Sequence, residues 1–160
     1  MKKSILFHSA AAAAFAAFLL LPSCGTGGDA PEYPLNNTSW VLDLYTLPEP
    51  PDPASRPLRP ITLLINEENR TSGNAGVNRY TGSATIDLDA GKVQFGPQAT
   101  TRMAGPGLKS ERTYLDALAA ARSFRIDGRI LTLFGEDGTP LAKFIAHTPD
   151  APRNPPSSQK

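Results

Sequence analysis

The chain reads as one small, mainly β domain of the α+β kind, an antiparallel sheet with a single packed helix. Three observations predict this. Short stretches alternate apolar and polar residues with the period of a strand, and Asp127-Gly128 and Asp137-Gly138 mark tight turns between such stretches. One segment alone repeats its apolar residues at helical spacing. The 160 residues suit one domain, and a core of roughly 110 residues buries enough apolar surface to fold without staples.

The elements follow in order. Residues 39–45 alternate, with Trp40, Leu42 and Leu44 on one face and Asp43 on the other. Residues 61–65, ITLLI, form a short apolar run, and strands at 80–88 and 92–95 are joined by the turn Asp89-Ala90-Gly91. The helix is predicted from Glu111 to about Arg122, with Ser110 as its N-cap and Tyr114, Leu115, Leu118 and Ala121 as its apolar stripe. Asp127-Gly128 suits a type I′ hairpin that sets Ile126 opposite Arg129. A second turn at Asp137-Gly138 sets Leu133 opposite Ala142 and Leu131 opposite Phe144. Both registers bring Phe124, Ile126, Leu131, Leu133, Ala142, Phe144 and Ala146 to one face, as a three-stranded meander requires.

A leader precedes this domain. Lys2 and Lys3 are followed by an apolar run over residues 10–21, about 18 Å long as a helix and too short for a hydrocarbon core of about 30 Å. A signal peptide fits better than a membrane-spanning helix. Its end, Leu21-Pro22-Ser23-Cys24, resembles the lipobox of bacterial lipoproteins: a thiol to carry the lipid, a small residue before it and an apolar residue at Leu21. Pro22 departs from the usual small residue. Residues 1–23 are therefore expected to be removed as a lipoprotein signal peptide and Cys24 to be lipidated, ordinary secretion with an incidental cysteine being the alternative. Several acyl chains together give stable anchoring where one does not. The expected location is the cell envelope, and Gly25 after the cysteine points to an outer membrane facing the periplasm if the host has two membranes.

Proline marks the boundaries. Twelve of the 16 prolines fall in residues 25–34, 46–60 and 147–160. Residues 24–34 read as a flexible tether, 46–60 as a surface loop with polyproline character inside a domain spanning 35–147, and 148–160 as a disordered tail.

Charge and inventory exclude several functions. Sixteen Lys and Arg stand against 15 Asp and Glu, which offers no excess for a phosphate backbone, so neither nucleic acid nor a polybasic membrane contact is expected. Cys24 is the only cysteine, so no intrachain disulfide or CxxC metal site exists. His8 lies in the leader and His147 borders the tail. No Ser/His/Asp or Cys/His set and no metal-ligand cluster remains, so no catalysis and no cofactor is expected. Glu67/Glu68 and Asp87/Asp89 read as solvated turn residues, with too few oxygens for calcium.

The segment GNAGVNRYTG, residues 73–82, is the most distinctive part of the domain. It lacks the spacing of either phosphate-binding glycine motif. Two roles fit it. One is a tight connection between strands with Asn78 stitching the backbone. The other is ligand contact through Asn78, Arg79 and Tyr80, with Arg102 close by. Met103 reads as a core residue.

Residues 73–82, then Thr100-Thr101-Arg102-Met103-Ala104, then the helix and FRIDGRILTL, together with Thr38-Ser39-Trp40 and ITLLI, resemble the META domain family of HslJ-like, heat-shock-inducible bacterial lipoproteins. The resemblance covers residues 35–146 and implies an antiparallel open or cracked barrel with one packed helix. It implies an envelope or stress-response setting for the protein. Many members carry cysteines where this chain has Val77 and Gly105, and those two are thought to pair; here both are absent, so any role of that bridge does not carry over. Two functions remain open: a non-catalytic envelope or stress factor acting through a bound protein, and a carrier holding a small apolar ligand in the barrel.

Overall fold

The computed structural model describes residues 33–51, 53 and 56–147. The leader, Cys24, most of the tether and the tail lie outside these residues. The chain forms β1 (Ser39–Asp43), a 3-10 turn (Leu44–Thr46), β2 (Thr62–Ile65), β3 (Arg70–Asn74), β4 (Arg79–Asp87), β5 (Lys92–Phe95), β6 (Ala99–Thr100), α1 (Leu108–Ala120), β7 (Ser123–Asp127), β8 (Ile130–Phe134) and β9 (Pro140–His147).

The strands pair antiparallel in the order β3-β2-β1-β9-β8-β7-β5-β4, and β4 returns to β3, so eight strands close a ring. β6 adds a short pairing on β4, Tyr80 with Thr100 and Thr81 with Ala99. This corrects the expected open or cracked barrel. The closing element is β3, which pairs with β4 from Arg70 opposite Ser83 to Asn74 opposite Arg79. RTSGN has no apolar alternation, and Thr71 is its one buried side chain, so periodicity gives no sign of it. The narrowest join is between β5 and β7, where Lys92 and Ser123 are the only residue partners. Two backbone bonds flank that pair, Val93 N–H to Arg122 O at 3.1 Å and Phe124 N–H to Gly91 O at 2.8 Å.

Alternation gives the barrel two ends. The proximal end holds Tyr33, where the described chain begins, the β2–β3, β4–β5 and β7–β8 turns, and His147, which pairs with Ser39. The distal end holds the loop between β1 and β2, the β3–β4 connection, the β8–β9 turn and the start of α1.

The interior is filled. Trp40, Leu63, Tyr80, Leu131, Leu133 and Phe144 are each 1% exposed or less. Tyr114 reaches in from α1, its ring edge-on to Tyr80 at 5.8 Å and to Phe144 at 6.3 Å. Burying each such side chain stabilises the fold by about 1.5–3 kcal/mol. The Trp40 indole N–H is satisfied by Leu35 O at 3.1 Å.

The meander matches its expected face and, in part, its register. Leu131 opposes Phe144 and Leu133 opposes Ala142 as predicted. The β7–β8 hairpin differs: Ile126 opposes Leu131, and Asp127 closes the strand opposite Ile130. Gly128 alone in that turn takes a positive φ, 56°, whereas type I′ needs two such residues. Asp127 stays extended and Gly128-Arg129 form the loop. The shift is two residues, so every side chain keeps its face.

The helix starts earlier than predicted. Gly107, at φ 95°, occupies the cap position, and Ser110 is buried inside the first turn. The helix stops at Ala120, and the Arg122 guanidinium donates to the Ala119 and Ala121 carbonyls at 2.9 and 2.8 Å, satisfying terminal acceptors. The 46–60 segment is more than a surface loop. Leu47 is 3% exposed, and Pro57 packs so closely on Gly107 that a Cβ there would lie 2.7 Å from Pro57 Cα.

Candidate functional site

The 73–82 segment and the start of α1 meet at the distal end. Asn78 is 2% exposed and every polar valence of its side chain is used. Its amide nitrogen donates to Glu111 Oε1 at 2.8 Å and to Met103 O at 3.2 Å. Its amide oxygen accepts from Thr101 Oγ1 at 2.9 Å and from the Met103 N–H at 2.7 Å. Its backbone N–H donates to Glu111 Oε2 at 2.8 Å, and the Val77 N–H donates to the same oxygen at 3.3 Å. A buried carboxylate is thus held by N–H groups, the arrangement that offsets the loss of its hydration. This is the stitching role in a fuller form than expected, because it ties three segments together. Glu111 was not singled out from the sequence. Its signal was its place on the stripe, three and seven positions before Tyr114 and Leu118, where an apolar residue belongs.

Tyr80 belongs to the core. It is 1% exposed, its hydroxyl donates to Thr62 O at 2.9 Å, and the Tyr114 hydroxyl lies 2.7 Å away. Since Tyr80 donates to a carbonyl, Tyr114 donates to Tyr80. Burial pushes the Tyr80 phenol well above the tyrosine range, and the bond from Tyr114 offsets only part of that. Burial first, and then the neighbouring Tyr80, push Tyr114 up as well. In both, burial favours the protonated phenol. Gly73 makes the contact possible, since a Cβ there would collide with Thr62 O and touch the Tyr80 ring.

The other two candidates face outward. Arg79 is exposed beside β6, where its N–H donates to Thr101 Oγ1 at 3.2 Å and its carbonyl accepts from the Thr101 N–H at 3.1 Å. Arg102 follows Thr101 and is exposed too. Met103 is 55% exposed, not a core residue, because its backbone is turned inward to Asn78 and its side chain outward. The structure therefore splits the four candidates. Asn78 and Tyr80 are buried supports and offer no surface to a ligand, while Arg79 and Arg102 flank Thr101 on the outside. Neither guanidinium has a hydrogen-bond or ion-pair partner among the described residues.

Val77 and Gly105 are neighbours. A Cβ built on Gly105 lies 3.2 Å from Val77 Cγ1. Among the described residues no group of three or more His, Cys, Asp or Glu could hold a metal, and no helix is long and apolar enough to cross a membrane. The larger hollows are surface grooves. One of about 760 Å³ lies at the proximal end among Tyr33, Leu88, Phe124 and Ile126. One of about 580 Å³ runs along α1 past Leu108, Arg112 and Leu115.

A family model described as META domain matches residues 33–148. No curated protein matches the chain. Among solved structures, an NMR structure of a protein from Burkholderia xenovorans is 27% identical, covers 91% of this chain and 100% of its own, and superposes with a TM-score of 0.53. A crystal structure of a duf4847 family protein from Bacteroides vulgatus ATCC 8482 is 16% identical with a TM-score of 0.48; the match covers 56% of this chain and 61% of that protein's length.

Proposed function

The chain belongs to the META domain family, and from that premise we propose that it is a lipid-anchored envelope protein that acts without catalysis, by binding a partner at its distal end. The observation that carries this reading is the asymmetry around Asn78. A buried clamp of Asn78 and Glu111 fixes a short stretch of backbone, and Arg79, Arg102 and Met103 stand outside it with their side chains free for a partner. A rigid support under exposed cations and a polarizable side chain is what a binding surface requires. Burial favours the protonated form of the Tyr80 and Tyr114 phenols, and Glu111, the one buried carboxylate among the described residues, is committed to backbone and amide donors. The anchor is supported by the leader and by Leu21, Ser23 and Cys24.

The carrier alternative needs space inside the barrel, and that space holds Trp40, Tyr80, Tyr114 and Phe144. The test is capture from the native membrane with the lipidated protein, comparing the parent with Arg79→Ala/Arg102→Ala. Loss of a specific captured protein in the double variant supports the reading. Undiminished capture, or recovery of lipid alone, overturns it. Intact mass decides the anchor separately, since an unmodified residue 24 would remove it.

A further inference from the structure

We propose that the proximal end of the barrel rests on the bilayer surface, with Leu88, Ile130 and Ile145 in contact with lipid. This rests on the reading of Cys24 as the anchor. Cys24 stands nine residues before Tyr33, so even a fully extended tether holds the domain within about 30 Å of the membrane. Tyr33 lies at the proximal end, and that end is the one the tether presents to the lipid at high effective concentration.

The surface there is suited to it. Leu88, in the β4–β5 turn, is 62% exposed. Ile130 and Ile145 are directly opposite each other on β8 and β9 and are 47% and 51% exposed. Leu88 also borders the groove whose walls include Tyr33, Phe124 and Ile126. Charges at this end are mixed, Glu67, Glu68, Asp87, Asp89 and Asp127 against Arg70, Lys92, Arg125 and Arg129, so no net attraction to anionic headgroups is expected and the contact is apolar. The distal end, with Arg79 and Arg102, is left facing away from the membrane.

The lipid on Cys24 leaves any introduced cysteine as the sole free thiol, because the chain has no other. The lipidated protein is reconstituted in vesicles of phosphatidylethanolamine and phosphatidylglycerol. Leu88→Cys, Ile130→Cys and Ile145→Cys are each labelled with a polarity-sensitive dye, and Tyr45→Cys and Leu58→Cys, exposed at the distal end, serve as comparisons. The proximal labels are expected to shift to the blue and to be quenched by brominated lipid, at low and high salt alike, and the distal labels to do neither. Quenching at the distal positions, or at none while the protein floats with the vesicles, overturns the orientation. A proximal shift that grows with protein concentration without vesicles assigns the surface to self-association and overturns it too. A protein that fails to float and carries an unmodified residue 24 removes the anchor, and the orientation falls with it.

Discussion

Asn78 and Glu111 are joined by two hydrogen bonds of 2.8 Å, one from the backbone N–H and one from the side-chain amide, across 33 positions of sequence. The pair fixes the β3–β4 connection to the first turn of α1. It has no surface to offer, so its contribution is to stability and to the placement of Arg79 and Arg102.

Replacing Glu111 with Ala should leave the Val77 and Asn78 backbone N–H groups and one N–H of the Asn78 side-chain amide without acceptors, the other amide N–H keeping Met103 O. A loss of about 3 kcal/mol is expected, since each orphaned buried donor costs about 1–3 kcal/mol and relaxation recovers part of the sum. Glu111→Gln keeps one acceptor and should lose less. Urea unfolding of the domain measures both, and a loss under about 1 kcal/mol for the alanine variant would mean that water replaces the carboxylate.

Arg79→Ala and Arg102→Ala should change stability by no more than about 0.5 kcal/mol, being exposed and unpaired. Tyr80→Ala should cost about 3–5 kcal/mol as a large-to-small core change. Thermal melts and partner capture on the same variants separate the roles. A destabilised Arg79 variant with unimpaired capture would assign that residue to the fold.

Stability should fall as the pH rises above 10. Both buried tyrosines have pKa values raised in the folded protein above their ordinary value of 10, so the folded state holds protons that the unfolded chain releases. The stabilisation is fully present below pH 10 and declines above it, by up to about 1.4 kcal/mol per pH unit for each phenol. Tyr114→Phe should flatten the decline. An unchanged slope in that variant, measured by denaturant titration between pH 9 and 11, would mean that other groups cause it.

Val77→Cys with Gly105→Cys should form a disulfide on mild oxidation, because the two positions adjoin within 3.2 Å of each other's side-chain space. The bridge closes a loop of roughly 28 residues, and the chain-entropy relation gives about 3–4 kcal/mol of stabilisation. The parent domain, cut to begin at Pro34, has no cysteine and should melt identically with and without reductant. A double variant that stays reduced, or whose midpoint does not rise, would show that the backbone there resists the bridge.

Two glycines separate strain from crowding. Gly138→Ala, at φ 79° with open space around it, should cost about 1–2 kcal/mol from the left-handed backbone alone. Gly107→Ala, at φ 95° and against the Pro57 backbone, should cost clearly more. Equal losses in urea melts would mean that the proline-rich loop yields.

How much was legible depended on whether a residue's neighbours in space were also its neighbours in sequence. β5 was read at its true bounds, Lys92–Phe95, and the β8–β9 register was read correctly, because a local turn and local alternation determine both. β3 is illegible in the sequence because RTSGN carries no apolar alternation, although β2 and β4 beside it are local: its one buried residue, Thr71, is polar and donates to Gln98 Oε1 at 2.7 Å, 27 positions on. Ring closure went unread for the same reason. The helix start was misplaced because Gly107 is set by Pro57, fifty positions away, and not by a local cap. At the site, Asn78 is legible as a stitch and Glu111 only as a polar residue on the apolar stripe; that the two pair, and that Tyr80 is buried, follow from contacts between distant segments.

The thin join between β5 and β7 has a bearing on how the domain is assembled. On one side of it β2 to β5, and on the other β7 to β9, are built from hairpins between consecutive strands, which form quickly. The join itself must bridge residues 96–122 to gain one residue pair, so the folding chain makes it late and the folded chain releases it early. The amides of Val93 and Phe124 should exchange their hydrogens with solvent well before that of Leu131, which lies deep in the meander. The molecule is then two arcs, held together by β1 on one side and by this thin seam on the other, and slow unfolding begins at the seam.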